Sequence, residues 1–586
     1  MTITSAWKAL LLGAVLASAT APAFAKEQPA KAQERVQVGS FAGAYLAARV
    51  AETDKDLDAA TDYYARALML DPANKELQQS LMLALLAAGR FDDALPLAEK
   101  LKAEPEIERF SRLALGVDAI RKQDFRGAGN WFQLALQSDL DRLVTSILSS
   151  WAKLGEAGGA DALAAVKGIE GPDWYRIFRT YHQALIADAG GDKAEAAKAY
   201  RALIEDVDAA ATAPDTYLRG AEAYAGFLVR EGKKADAMAV LDQVEESAPG
   251  RVTLAAIREK IEKGEPVGRA VQTPADGAAE MLLNMAAALN RGGGEPFVKL
   301  YLNLALVLRP GDDEALVQLA AAAEDEGKAE AAIDLYKRIP ADSPLKRAAE
   351  LQLGLNLADL KQYDEAEKHL AALKAADPQD MRTYLALGSV HAAQEDYRAA
   401  AGVYDEAVAA LGEPTPEHWN IFYQRGIAYE RLKEWPKAEP NFLKALELYP
   451  DQPQVLNYLG YSWVDMNMNL ERGLDMIRKA VELRPGDGYI VDSLGWAYYR
   501  LGRYEEAVTE LERAVSLKPD DPVLNDHLGD AYWRAGRKLE ATFQWSHARD
   551  LKPEDPKVLA DVVKKLREGL PDEAPKAAAD DSTKVE

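Results

Sequence analysis

The side chains best suited to chemistry are six histidines, His182, His369, His391, His418, His527 and His547, set among 94 Asp and Glu. An imidazole moves protons near neutral pH or ligates a metal when its neighbours are arranged for it. No pair of these has the H-E-x-x-H spacing that puts two imidazoles on one helix face. Asp526 and His527 are adjacent, and adjacent residues on a helix point to different faces, so they do not read as a dyad. His391 falls at a core position of the repeat described below and reads as packing. Gly292, Gly293 and Gly294 would cradle a phosphate only after a strand, and the pattern puts them at a turn between helices. There is no Walker loop, dinucleotide fingerprint or nucleophile elbow. Cysteine is absent, which removes thiolate nucleophiles, Cys-ligated zinc, iron–sulfur clusters and lipid anchors on Cys. The chain is read as non-catalytic, with neither metal nor cofactor.

The elements that position these residues repeat. Gly495, Tyr498, Ala507, Leu511, Ala514 and Pro519 return 34 residues later as Gly529, Tyr532, Ala541, Trp545, Ala548 and Pro553. Earlier copies are Gly426, Ala438, Phe442 and Ala445, then Gly388, Ala400, Tyr404 and Ala407, then Gly354, Ala366 and Leu370. The copy at Gly460 carries one extra residue before Gly473. The small residues are expected where the two helices of a unit cross, with Gly495 and Ala507 at one such crossing. Pro519 ends a second helix, and Asp520, Asp521 and Pro522 cap and open the next. The pattern resembles the tetratricopeptide repeat (TPR). That resemblance implies an all-α, right-handed solenoid of about 12–13 helix-turn-helix repeats, in which no repeat buries its apolar face alone.

Residues 1–25 read as an export signal. Lys8 gives a positive start, Ala9 to Ala19 an apolar core, and Ala23 and Ala25 the small residues of a cleavage site after Ala25. The expected organisation is a disordered segment at 26–40, a lobe at 41–263, a linker at 264–278, a second lobe at 279–570 and a disordered acidic tail at 571–586. This predicts a periplasmic, soluble protein with no transmembrane segment after processing. With 70 Lys and Arg the net charge is −24, which disfavours nucleic acid as a partner.

In the TPR resemblance the first helix of each repeat lines a groove that binds protein partners. The residues it places there are Tyr423, Arg431, Asn457, Tyr461, Tyr489, Asp492, Trp496, Tyr499, Arg500, Asp526, Asp530, Trp533 and Arg534. Aromatic rings and arginines dominate interface energetics, so this lining suits a protein contact. Its aspartates favour a basic or neutral polypeptide. The Lys and Asn of carboxylate-clamp TPRs are replaced here by Asp492, Trp496, Asp526 and Asp530.

A narrower resemblance covers about 453–555. Leu459-Gly460-Tyr461, Asp492-Ser493-Leu494-Gly495-Trp496 and His527-Leu528-Gly529-Asp530 are similar to a family of exported bacterial TPR proteins. That family includes a lipoprotein adaptor that activates a periplasmic carboxyl-terminal processing protease and delivers peptidoglycan hydrolases to it. The resemblance implies a protease and its clients as partners. The missing lipobox cysteine departs from the adaptor's anchoring. The competing expectations are a structural subunit of an envelope assembly or polysaccharide-export machine, and a direct glycan binder.

Overall fold

The computed structural model describes residues 39–104, 108–134, 138–246, 248–292, 295–553 and 555–571. The expected signal, with Ala23 and Ala25, lies outside the described residues, as do nearly all of 26–40 and 571–586.

The first helices in chain order are α1 (Phe41–Thr53), α2 (Leu57–Leu70), α3 (Lys75–Ala87), α4 (Phe91–Leu101), α5 (Glu108–Arg121), α6 (Phe125–Gln133), α7 (Asp139–Ala157) and α8 (Gly159–Lys167). They continue as α9 (Tyr175–Gly190), α10 (Lys193–Glu205), α11 (Val207–Thr212), α12 (Pro214–Arg230), α13 (Lys234–Glu245) and α14 (Val252–Lys263). Next come α15 (Pro274–Gly292), α16 (Glu295–Leu308), α17 (Asp313–Asp325), α18 (Ala329–Lys337), α19 (Lys346–Asp359), α20 (Tyr363–Ala376), α21 (Met381–Ala393) and α22 (Tyr397–Ala410). After a short 3-10 turn follow α23 (Trp419–Arg431), α24 (Trp435–Leu448), α25 (Pro453–Asp465), α26 (Leu470–Leu483), α27 (Gly488–Arg500) and α28 (Tyr504–Leu517). The described chain closes with α29 (Pro522–Arg534), α30 (Lys538–Asp550) and α31 (Pro556–Glu568).

Helix starts follow local chemistry. Asp521 accepts hydrogen bonds from the Val523 and Leu524 N–H groups, and Pro522 opens α29 without needing a partner for a missing N–H. Asp487 caps α27 in the same way. The turns need a left-handed residue, supplied by Gly502 (φ 75°) and Gly536 (φ 82°). The longer turn between α25 and α26 uses Asn467 (φ 54°) and Asn469 (φ 42°), so the extra residue noted in the sequence is absorbed by asparagines, which tolerate that region.

The small residues are buried, but the glycines face large side chains. A Cβ on Gly388, Gly426, Gly495 or Gly529 would come within 2.3, 2.7, 2.6 and 2.5 Å of Tyr404, Phe442, Leu511 and Trp545 respectively. The glycine is the socket and the large residue of the second helix is the plug. Ala400, Ala438, Ala507 and Ala541 are fully buried beside them. At Gly460 the nearest atom is instead the Gly473 carbonyl oxygen at 2.7 Å, so two backbones meet directly. Gly354 in α19 and Ala366 in α20 are each buried.

Contacts divide the chain into a unit ending at Leu360 and a unit beginning at Lys361. Residues 264–278 lie within the first. There, Arg230 donates to the Gly268 carbonyl at 2.8 Å, Arg269 meets Asp188 at 3.2 Å, and Val271 is buried.

The first unit has a central helix. α15 packs on α5, α7, α9 and α12, and α16 packs on α3, α4 and α5. Apart from α4, these are the first helices of successive pairs, the row that lines the groove of an open solenoid. Every residue from Gly277 to Ala286 is buried, so α15 is enclosed on all sides. A Cβ on Gly277 would strike the Trp151 indole at 2.2 Å. Glu280, 1% exposed, accepts from Arg219 Nε at 2.6 Å, Tyr181 Oη at 3.0 Å and Asn284 Nδ2 at 3.2 Å, with Arg309 at 3.3 Å. Burial pushes the Glu280 carboxyl up, but Arg219 and then Arg309 outweigh it and hold it well below the usual carboxylate range.

Candidate protein-binding surface

The thirteen expected groove residues lie on α23, α25, α27 and α29 of the second unit. They divide into residues that serve the core and residues left half-buried on the surface.

Tyr423 belongs to the core. It is buried, with ring centroids 6.1 Å from Phe442, 5.9 Å from Tyr458 and 6.0 Å from Trp419. The Arg431 guanidinium sits 5.7 Å from the Tyr397 ring centroid. Asn457 is half-buried, and its Oδ1 has no hydrogen-bond partner among the described residues.

The three aspartates are buried and paired within the chain. Both Asp492 oxygens lie 3.0 Å from His527 Nδ1. Burial pulls the His527 pKa down, but Asp492 outweighs it and the net shift is upward. Lys565 of α31 places its ammonium 2.7 Å from Asp526 and 2.9 Å from Asp530. Asp530 also accepts from Trp545 Nε1 at 2.9 Å. Burial, then the Asp526 charge, pushes the Asp530 carboxyl up to about 6. Burial opposes the Lys565 charge, but Asp530 and Asp526 outweigh it and raise its pKa. The expected acidic lining is therefore neutralised from inside the fold. Asp526 and His527 do face different partners, as neighbours on a helix should.

The rings form a layered cluster. Trp496 stacks on His527 at 4.0 Å and on Tyr499 at 4.6 Å, with planes 14° apart in the second pair. Tyr489 donates to Asp521 at 3.2 Å, and burial followed by Asp521 lifts its pKa to about 12. Trp533 lies 5.3 Å from Trp545, under the Lys538 ammonium at 4.8 Å, and presses on Gly569. Arg500 is ion-paired with Asp465 at the edge. Tyr461, Tyr489, Trp496, Tyr499, Trp533 and Arg534 remain half-buried, and Arg500 is exposed. The surface is thus aromatic, with the Arg500–Asp465 ion pair at its edge. Rings already fixed by neighbours lose little entropy when a partner covers them.

Two residues were missed in the sequence. Lys565 lies 35 residues beyond Asp530, outside the last matching repeat, where its pairing had no template. His527 reads in the sequence only as no dyad with Asp526, although its ring stacks on Trp496 and its Nδ1 meets Asp492. The one available signal was the Asp526/Asp530 spacing of i,i+4 on a buried face, which requires a cation.

Models of the tetratricopeptide repeat match residues 43–74, 181–207, 351–416, 385–453 and 495–536. The chain has the TPR fold. It is 26% identical over 196 residues to a TPR repeat-containing protein of Pseudomonas aeruginosa, covering 33% of this chain and 32% of that one. It is 30% identical over 116 residues to the BBSome complex member BBS4 of Bos taurus, covering 20% of this chain and 21% of that one. The chain thus spans about a third or less of the length of these relatives. A TPR protein from Parabacteroides merdae aligns at 18% identity with a TM-score of 0.35, over 43% of this chain and 98% of that one. No helix among the described residues of this TPR chain is long and apolar enough to cross a membrane.

Proposed function

We propose that the chain is a non-catalytic, exported scaffold that binds a protein partner through the first-helix face of α25, α27 and α29. The observation that carries this reading is the contrast between the two units. In the first, α15 already fills the corresponding face. In the second, Tyr461, Tyr489, Trp496 and Tyr499 stand half-buried on it. With Asp492, Asp526 and Asp530 internally paired, the partner is a polypeptide that presents apolar side chains to the rings, and basic charge is not required of it.

Export rests on the 1–25 pattern, which places the mature chain in the periplasm after cleavage at Ala25. The finer reading is an adaptor that brings clients to a periplasmic processing protease. It is supported by the resemblance at Leu459 to Tyr461, Asp492 to Trp496 and His527 to Asp530. Asp492, His527 and Asp530 have charge-pairing roles, so Tyr461 and Trp496 are the residues in that set suited to recognition.

The test is affinity purification of the protein from the envelope of its own cells, with partners identified by mass spectrometry. A processing protease recovered with cell-wall hydrolases supports the adaptor reading. Subunits of an export or assembly machine, without a protease, point to the structural alternative. Tyr499→Ala, which unstacks one ring from Trp496, should reduce recovery with only a small fall in melting temperature. Trp533→Ala, which empties a site against Trp545 and Gly569, should lower stability instead. Full recovery with Tyr499→Ala, Tyr461→Ala and Trp496→Ala combined would rule this surface out.

A further inference from the structure

Asp492, Asp526, His527, Asp530 and Lys565 are buried together on α27, α29 and α31. Their charges do not balance. Lys565 is shared by Asp526 at 2.7 Å and Asp530 at 2.9 Å, and the exposed Asp561 carboxylate stands 3.2 Å from the same ammonium. Asp492 engages His527 Nδ1 at 3.0 Å through both oxygens. With the imidazole neutral, the buried set carries two negative charges in excess; with it protonated, one.

The neighbouring helices do little to offset that excess. From α27 comes the Tyr499 phenol, beside which the Arg534 guanidinium of α29 lies half-buried. From α30 comes the Trp545 indole N–H, donated to Asp530 at 2.9 Å. On α28, Glu512 is taken by Tyr532 at 2.7 Å and Arg537 at 3.1 Å. Buried carboxylates that share one cation relieve their repulsion by binding a second cation or a proton. Lys565 already fills the place between Asp526 and Asp530, which leaves the proton. The His527 ring lies 4.0 Å from the Trp496 indole with planes 21° apart, and Trp496 stacks in turn on Tyr499 at 4.6 Å. A proton on that imidazole puts a cation over the indole face, which strengthens the contact.

We propose that this cluster is a proton-operated lock: between neutral and mildly acid pH it takes up protons on His527 and Asp530, and the uptake holds α27, α29 and the Trp496–Tyr499 ring layer more firmly. On the reading of that layer as the binding surface, the surface is best formed at mildly acid pH. Burial pulls His527 down but Asp492 outweighs it, and burial followed by Asp526 pushes Asp530 up to about 6. Both groups therefore hold a proton more readily folded than unfolded, and folding is favoured as pH falls. The His527 contribution is complete below about 6.5 and is lost as pH rises through its raised folded value. The Asp530 contribution is complete below about 3.9 and is lost as pH rises through about 6.

The test is hydrogen exchange of the full chain, with rates corrected for the pH dependence of the chemical step. Between about pH 7.5 and about pH 5.5, opening of α27 and α29 should become about fourfold rarer from Asp530 alone, and rarer still with His527. A chain of net charge −24 also gains stability in acid by shedding general repulsion. The decisive comparison is therefore with Asp530→Asn and His527→Gln combined, which keeps the rest of the charge and should lose at least that fourfold response. Asp530→Asn alone, which leaves Asp526 on Lys565, serves if the double variant does not fold. Each variant is compared with itself at the two pH values, so a lower overall stability does not blur the reading. Protection of α29 that falls in acid, or a rise of equal size in the variants, would overturn the proposal. The readout needs no partner, so it is judged apart from whether a partner is recovered on Tyr461, Trp496 and Tyr499.

Discussion

The Lys565 ammonium lies 2.7 Å from the Asp526 carboxylate, joining the last helix of the described chain to the first helix of the last repeat. Asp530, one turn on, shares the same cation at 2.9 Å. The three groups are buried together, so each depends on the others. This knot ties α31 to α29 and removes the negative charge that the sequence placed on the proposed binding surface.

Breaking that knot from the cation side should be severe. Lys565→Met strands two buried carboxylates and is expected to cost about 3–5 kcal/mol. Urea denaturation should show the loss, and hydrogen exchange should locate it in α29, α30 and α31. Adding Asp526→Asn and Asp530→Asn should recover part of it, since neutral amides need no counter-ion.

Glu280→Gln should act in the same way on the first unit. Arg219 and Arg309 would keep their charges beside a neutral amide, at an expected cost of about 3–5 kcal/mol. The measurement is the unfolding midpoint followed by a tryptophan probe at Trp151, which Gly277 of α15 touches. An unchanged midpoint would mean that α15 is held by its apolar contacts alone.

His182 makes the first unit acid-sensitive. Its Nδ1 accepts from Trp151 Nε1 at 3.0 Å, and burial lowers its pKa to about 4. The folded pKa is below the unfolded value of about 6.5, so between these values the unfolded chain binds the proton more readily. Stability should therefore be lost as pH falls from about 6.5 to about 4, by about 3 kcal/mol in total from this group. Thermal melts at stepped pH check the direction. His182→Gln should flatten the slope in that window while lowering stability at neutral pH.

Two glycines at the same repeat position should respond differently to a methyl group. At Gly495 the nearest obstacle is the Leu511 side chain at 2.6 Å, with the Leu511 backbone nitrogen farther off at 3.1 Å. At Gly460 it is the Gly473 carbonyl, which cannot move without shifting α26. Gly495→Ala should cost about 1 kcal/mol and Gly460→Ala about 3 kcal/mol, measured by equilibrium denaturation.

Much of the fold was legible because it depends on short-range pattern. The spacing from Gly495 to Gly529 set the repeat, Asp521 and Pro522 set a helix start, and the extra residue before Gly473 marked a longer turn. The proposed binding surface was legible only in outline. The rings Trp496 and Tyr499 fell on the expected helix, but a register cannot say which carboxylate will find a cation. Asp492, Asp526 and Asp530 occupy groove positions by count, and pairing with His527 and Lys565 removes them from the surface.

The amino-acid order by itself determined the TPR unit, because helix caps, breakers and small-to-large packing act within about one repeat of chain. The tertiary structure alone decided that α15 turns back to fill the first unit's inner row, while no helix among the described residues fills that row in the second unit in the same way. That choice depends on Glu280 meeting Arg219, 61 residues away, and on Gly277 meeting Trp151. A single buried carboxylate among 94 acidic residues has no sequence mark; its burial becomes stable only when distant guanidinium groups close around it.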